Sequence, residues 1–309
     1  MSITGLAGQI VLMFILMAVG FLVNKIGFLH VQTSDDLTNI LLTVIGPCLI
    51  VKAFEQRFSQ QRLHQLLIVG GAVIVSYLVQ VVLSPLVFKK VSDDNTRHIM
   101  IYSSIYPNVG FLGIPLASAL FGNNGVFFAV VSMAVFNIFN WSHGVTVFRK
   151  KVQSFWLVLK QIIINPNIIA IIIGMIIFVF SLHLPSLVDQ AVSYIGSANT
   201  PLSMIVVGSS LANAKFDRKS VAPPVIGSIL LRNLIYPILT LFILLLFKIS
   251  GVALSVSLLL AACPVASLGV LFTLQAHRDV SPAVSAMSLS TILSLVTIPL
   301  VFGIAQLIM

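Results

Sequence analysis

Tyr106-Pro107-Asn108-Val109-Gly110-Phe111-Leu112-Gly113-Ile114-Pro115 is the stretch that decides how this chain folds. From Pro107 to Pro115, nine residues carry two prolines and two glycines, Gly110 and Gly113. Each proline removes a backbone N–H and crowds the carbonyl one turn earlier, so no continuous helix runs through such a segment. Yet the stretch lies inside a long apolar run. In hydrocarbon an unpaired backbone N–H or C=O costs several kcal/mol, so broken backbone survives only within protein or beside a wet cavity.

Composition places the run in a membrane. Of 309 residues 58% are hydrophobic and 8% charged, where an ordinary soluble domain carries about a quarter charged. A bilayer core of about 30 Å needs about 20 apolar residues per helix. With that ruler ten spans are expected, near 6–28, 37–54, 65–88, 98–121, 125–147, 162–184, 199–214, 222–248, 252–275 and 281–308. The stretch from Pro185 to Ala198 reads as too polar to cross. Strand barrels are excluded because they alternate polar and apolar residues. No cleavable signal peptide is expected, since Met1 to Gly5 lacks a basic region and the first apolar stretch runs on to Phe28. Cys48 and Cys263 fall in apolar runs and offer neither a disulfide framework nor a metal-ligand spacing; no metal and no cofactor is expected.

The net charge of +9 raises nucleic acid or acidic membrane as partners, and loop parity decides between them. One side collects twelve basic residues: Lys25, Lys89, Lys90, Arg97, Arg149, Lys150, Lys151, Lys160, Lys215, Arg218, Lys219 and Arg278. The other collects Lys52, Arg57, Arg62 and Lys248, and Arg232 lies within a span. Short loops rich in Lys and Arg stay in the cytoplasm, so both termini are expected outside a multi-pass protein of the cytoplasmic membrane. Dispersed over five short loops, the charge is a topology signal, and no nucleic acid is expected. Arg149-Lys150-Lys151 with Phe155, Trp156 and Lys160 reads either as an interfacial basic helix on anionic headgroups or as a plain linker.

An internal repeat appears at an offset of 154 residues: Gly20 matches Gly174, and Pro47 matches Pro201. Ser84-Pro85-Leu86 corresponds to Tyr236-Pro237-Ile238, and Pro107 to Pro264, each a few residues out of register. Five spans per half is an odd number, so the halves must insert upside down relative to each other. That is the inverted-repeat plan of secondary transporters, whose sites lie near the midplane at the repeat interface. The expected division is a first five-helix repeat over 1–147, a basic cytoplasmic interfacial linker over 148–161 and a second five-helix repeat over 162–309.

Span nine carries Cys263-Pro264-Val265-Ala266-Ser267-Leu268-Gly269 at the depth of the span-four break. Paired breaks in matching positions point to a transport site. The bland reading of a single membrane proline is a packing kink. The exposed N–H groups of a helix start favour an anion, and Asn108 and Ser267 can add polar groups from either break. With Asn108, Gly110, Ser267, Arg232 and Asn137 as substrate-site candidates, the crossover itself is read as Pro107, Gly113, Pro115, Pro264 and Gly269. Pro47 and Pro201, with Ser203, Ser209 and Ser210 nearby, read first as packing or kink residues.

Arg232 sits about 12 Å deep if span eight starts near Pro224. An embedded cation is costly and is by default a functional hypothesis; three roles stand open, namely attracting an anionic substrate, capping helix carbonyls, and snorkelling toward the cytoplasm. All eight acids fall in loops or at span ends, which argues against a carboxylate-based cation site. His143 near the end of span five either relays protons or sits at the interface.

The residues resemble a known family. Asn108-Val109-Gly110-Phe111-Leu112-Gly113-Ile114-Pro115-Leu116 with Leu120-Phe121-Gly122 resembles the fourth-span signature of the auxin efflux carriers. Ile195-Gly196-Ser197-Ala198-Asn199-Thr200-Pro201-Leu202 with Gly208-Ser209-Ser210-Leu211 resembles their seventh-span pattern, and Arg232 with Pro237 their eighth. The resemblance covers essentially the whole chain. It implies an all-α polytopic membrane protein of ten transmembrane helices in two inverted five-helix repeats, with broken, crossed helices 4 and 9, an arrangement of the NhaA and bile-acid-symporter type. It also implies a scaffold and a transport domain, a homodimer, and a carboxylate held near the crossover by an asparagine placed as Asn108 is. Bacterial members labelled malate permeases imply small organic acids. The long loop between spans five and six of many plant members is absent, so plant-type regulation does not carry over.

The expectation is a secondary carrier of small organic anions such as malate, moving by elevator-like alternating access in the lipid bilayer. The alternative is a sodium- or proton-coupled symporter of an organic acid or bile-acid-like solute. No enzyme is expected, because no catalytic carboxylate pair, Cys/His pair or metal-ligand spacing falls within the spans.

Overall fold

The computed structural model describes residues 3–148, 155–214 and 221–308; Arg149, Lys150, Lys151, Lys215, Arg218 and Lys219, half of the twelve basic residues read as cytoplasmic, lie outside them. The described residues are helical throughout, with one isolated antiparallel bridge, Pro107 to Val265, as their only β feature.

Helix α1 (Ile3–Lys25) is an uninterrupted apolar rod. Helix α2 (Val31–Ile40) passes through a π turn, Leu41–Ile45, into α3 (Gly46–Phe54), which Pro47 opens from its second position. Helix α4 (Gln60–Val87) is capped by Ser59, whose hydroxyl accepts from the Arg62 N–H, and carries Pro85 in its last turn. Helix α5 (Asp94–Ile105) is capped by Asp93, which accepts from the Thr96 N–H at 2.7 Å. After a break come a π turn, Val109–Gly113, and α6 (Ile114–Phe139), followed by a π turn, Asn140–Gly144, and α7 (Val145–Phe148). The second half follows with α8 (Phe155–Ile163), α9 (Pro166–Val179), α10 (Ser186–Ser197), α11 (Asn199–Ala212) and α12 (Pro223–Leu230). A π turn, Leu231–Ile235, leads into α13 (Tyr236–Leu246), and α14 (Gly251–Ala261), α15 (Leu268–Gln275) and α16 (Ser281–Ile308) complete the chain.

Among the described residues six helical stretches are long and apolar enough to cross a membrane, or seven if the bent pair formed by α8 and α9 counts as one. This is a multi-pass membrane protein. One stretch, residues 109–148, has 40 residues and would be ~60 Å long if straight. It is not straight: Gly122 has φ 57°, ψ −148°, a conformation open to glycine and costly for other residues. The chain folds back there, so that a Cβ on Gly125 would lie 2.3 Å from the Ala117 carbonyl. The outer faces carry large exposed apolar side chains such as Leu22, Val82 and Phe180, which suits contact with lipid tails.

Several boundaries move from their sequence-based positions. The second helical stretch starts at Val31 rather than 37. The stretch before Asn199 is helical from Ser186, and its acid, Asp189, is paired with Lys52 of α3; a hydropathy window sees the charge and not the partner. The sixth stretch divides where Asn165 caps α9, its side-chain oxygen accepting from Asn167 and Ile168, with Pro166 at the first helical position. The resulting bend between α8 and α9 is 63°.

The two halves interlock through small residues. A Cβ on Gly20 of α1 would fall 2.2 Å from the Ile205 carbonyl of α11, and one on Gly208 would fall 1.9 Å from the Met17 carbonyl. Gly174 of α9 instead makes room for the Phe54 side chain of α3, whereas the first two contacts are backbone against backbone. Backbones approach this closely only where side chains are absent, the usual basis of helix packing without a hydrophobic driving force.

Candidate functional site

The two interrupted helices meet at their interruptions. Helix α5 stops at Ile105 and α14 at Ala261, and the segments that follow run antiparallel beside each other. The Asn108 N–H donates to the Pro264 carbonyl at 2.6 Å, and the Ala266 N–H donates to the Tyr106 carbonyl at 2.9 Å. The Val265 N–H donates to the Ser290 hydroxyl of α16 at 3.0 Å, and that hydroxyl donates in turn to Asn233 Oδ1 at 2.6 Å. Backbone groups freed by Pro107 and Pro264 are thus paired within the protein, as a dry environment requires.

Both half-helices also end here, with their last carbonyls turned to the same place. Arg232, 1% exposed and carried on the π turn Leu231–Ile235, reaches both. Its Nη1 donates to the Ile105 carbonyl at 2.5 Å and to the Ser104 carbonyl at 3.4 Å, and its Nη2 donates to the Ala261 carbonyl. A helix C-terminus carries about half a negative charge, so two of them balance one guanidinium. Of the three roles open to this residue, the hydrogen bonds are those of a carbonyl cap.

On the starting ends of the same breaks the chemistry is opposite. Asn108 is the N-cap of the turn that leads into α6, its Oδ1 accepting from the Phe111 N–H at 3.2 Å. With the oxygen committed to the cap, Asn108 offers the amide NH2 group outward. Ser267 precedes α15 and makes no side-chain cap bond. Both line one cavity of about 520 Å3, within the range of small-molecule sites. Its other walls are Asp35, Thr38, Asn39 and Leu42 of α2 and the turn after it, Phe111 of the first break, Val206, Val207, Ser210 and Leu211 of α11, Leu268 and Leu271 of α15, and Met287 and Thr291 of α16. Asp35 is exposed, at the rim where α2 begins.

Of the candidates, the structure brings Asn108 and Ser267 to this cavity and puts the others elsewhere. Gly110 faces a smaller space beyond Phe111. Asn137 donates to the Met133 carbonyl of its own helix at 3.0 Å. Arg232 lies behind the breaks, near a separate small cavity with Tyr77, Gln80 and Ser132. Gly113 packs on Leu260 and Cys263, Gly269 on the Tyr102 ring, and Pro115 lies in the first turn of α6. Pro47 and Pro201 stand within α3 and α11, off the cavity lining. Ser209 is tied to Asn24 and Ser34 at 2.9 and 2.8 Å, while Ser210 reaches the cavity. His143 contacts the Tyr106 hydroxyl through Nδ1 at 2.9 Å, one residue from the break. Sequence reasoning missed Thr38, Asn39, Phe111 and Thr291. A signal existed for two of them: Asp35, Thr38, Asn39 and Leu42 recur at helical spacing and mark one face.

Comparison with known proteins agrees with this architecture. The family described as membrane transport protein matches residues 6–156 and 149–302. The chain belongs to that family, the auxin-efflux-carrier-like transporters. An uncharacterised transporter of Methanothermobacter thermautotrophicus is 26% identical over 286 residues, covering 93% of this chain and 94% of the relative. Another, from Methanocaldococcus jannaschii, is 24% identical over 301 residues, covering 94% and 96%. Family and relatives point to a transporter rather than an enzyme.

Proposed function

We propose that this transporter carries small organic anions, malate or similar carboxylates, across the cytoplasmic membrane by elevator-like alternating access. The observation that carries the reading is the 520 Å3 cavity into which both breaks open, with the Asn108 amide and the Ser267 hydroxyl on its wall. Helix starts and amide donors suit a carboxylate. Among the described residues that line the cavity the donors are neutral, so in this reading the Asn108 amide and the helix starts supply the contacts to the carboxylate.

In this reading the chain has ten spans in two inverted five-helix repeats. Residues 109–148 then supply most of spans four and five, Ser186–Ala212 the seventh, and α14 with α15 the broken ninth. Three features support it. Gly20 and Gly174, equivalent in the repeat, both pack against the second span of the opposite half. Ser84 and Tyr236, also equivalent, share a hydrogen bond of 2.7 Å. The cavity lies between a group of spans one, two, six and seven and a group holding both breaks, as a scaffold and a moving body would leave it. On the topology expected from the basic loops, the cavity opens to the cytoplasm.

An inside-negative membrane expels an uncoupled anion by about 2.3 kcal/mol per charge per 100 mV, so export or exchange is the natural direction. In proteoliposomes malate flux is expected to respond to imposed voltage and to fall about tenfold or more in Asn108→Ala, the loss expected for one hydrogen bond to a charged group. Flux that ignores the substitution would remove Asn108 from the mechanism. Asp35 on the rim favours one rival, a sodium- or proton-coupled symporter, and sodium or pH dependence of uptake separates the two.

A further inference from the structure

Past Phe111 the wide cavity is followed by a second, smaller space. It measures about 20 Å3, and Leu42 and Phe111 wall both. The lining advances in step on two helical stretches: Thr38, Asn39 and Leu42 give way to Gly46 and Ile50, and Ser210 and Val207 give way to Ser203 and Asn199. Ser203 lies ~10 Å beyond Ser210 along α11, on the side away from the wide opening. Between the two spaces sits an apolar seal in which Phe111 packs on Leu41, Ile45 and Val206.

Behind the seal three polar side chains, Asn167, Asn199 and Ser203, stand among apolar ones such as Ile50, Ile114 and Met133. Asn199 is 5% exposed, and its Nδ2 has no hydrogen-bond partner. Asn167 of α9 is equally buried, with its side-chain oxygen beside Gly46, and Ser203 completes the wall. Buried amide donors without an acceptor are rare in folded proteins and call for an explanation. The space admits about one water, so it holds no substrate in this conformation. The Asn199 amide is a donor aimed into this space, and the acceptor that the proposed function brings to the far side of Phe111 is a carboxylate.

We infer that Asn199, with Asn167 and Ser203, is a second carboxylate station, filled after the breaks and Phe111 have moved past the seal. Asn108 holds the substrate on the side that is open here, and Asn199 receives it on the other. The inference rests on the organic-anion reading and adds to it a site behind the wide cavity.

Two measurements on purified protein separate the stations: thermal stabilisation by malate in detergent, and exchange of radiolabelled malate in proteoliposomes. Asn199→Leu is expected to keep wild-type stabilisation by malate, because the open station is untouched, and to slow exchange about tenfold or more. Exchange at the wild-type rate would overturn the second station, and so would loss of stabilisation together with exchange. A labelling arm covers the case in which that variant does not fold. In a Cys48→Ser background, Ser203→Cys is expected to react slowly with an anionic, membrane-impermeant methanethiosulfonate, faster when Phe111→Ala is added, and slower again with malate. A rate indifferent to both Phe111→Ala and malate would overturn the proposal. If the wild type shows neither stabilisation nor exchange with any small carboxylate, the organic-anion reading fails and the second station with it. Wild-type transport with an unaffected Asn199→Leu refutes the second station alone.

Discussion

Replacing Arg232 by methionine keeps the bulk of the side chain and removes its charge and donors. Three carbonyls, Ser104, Ile105 and Ala261, then lose their partner in a region where the arginine itself is 1% exposed. An orphaned buried acceptor costs about 1–3 kcal/mol, and removing one side of a buried charge pairing costs about 3–5 kcal/mol. These overlap, so the expected loss is about 3–5 kcal/mol, two to four powers of ten in the folding equilibrium. Lysine keeps the charge but lacks the planar fork that spans both helix ends, so Arg232→Lys is expected to recover about half. Thermal unfolding in mild detergent, followed by intrinsic fluorescence, measures the series. The expected order is wild type, then Lys, then Met. Were Arg232 instead a substrate ligand, Arg232→Met would unfold at the wild-type temperature and lose malate-induced stabilisation. That result would refute the capping assignment.

Two further outcomes follow from the geometry. Asp35→Asn removes an acid from the cavity rim and is expected to raise the apparent affinity for a carboxylate modestly, about twofold, since an exposed charge is well screened; abolished flux would point instead to cation coupling through Asp35. Gly208→Ala places a Cβ 1.9 Å from the Met17 carbonyl, and overpacking of this kind costs about 1–3 kcal/mol; an unchanged thermal midpoint would mean that α1 and α11 are not held as close as described.

Much of this was legible in the residues, for physical reasons that can be named. Two prolines and two glycines from Pro107 to Pro115, matched by Pro264 at the corresponding depth of the second half, make the breaks readable where a single proline such as Pro85 or Pro299 stays within a helix, and with them Asn108 and Ser267 beside the cavity. Arg232 was visible as an embedded cation, but its role depended on where two distant carbonyl ends fall, which no local pattern encodes. The helix from Ser186 escapes a hydropathy window, which registers Asp189 and not the Lys52 beside it. Phe111 sits in the quoted stretch and reads as ordinary core; only the arrangement around it shows that it walls both the wide cavity and the small space holding Asn199. Asn137 looked like a lining residue, yet its amide is taken by the Met133 carbonyl one turn earlier, a local bond that competes with outside partners.

The most direct measurement is thermal stabilisation of the purified transporter by a panel of small mono- and dicarboxylates, with wild type and Asn108→Ala side by side. At least one carboxylate is expected to raise the wild-type midpoint in a concentration-dependent manner, with about tenfold weaker apparent affinity or more in Asn108→Ala. A panel without effect on the wild type, or an effect of equal strength in the variant, would contradict the assignment of the cavity at the two helix breaks as the anion site.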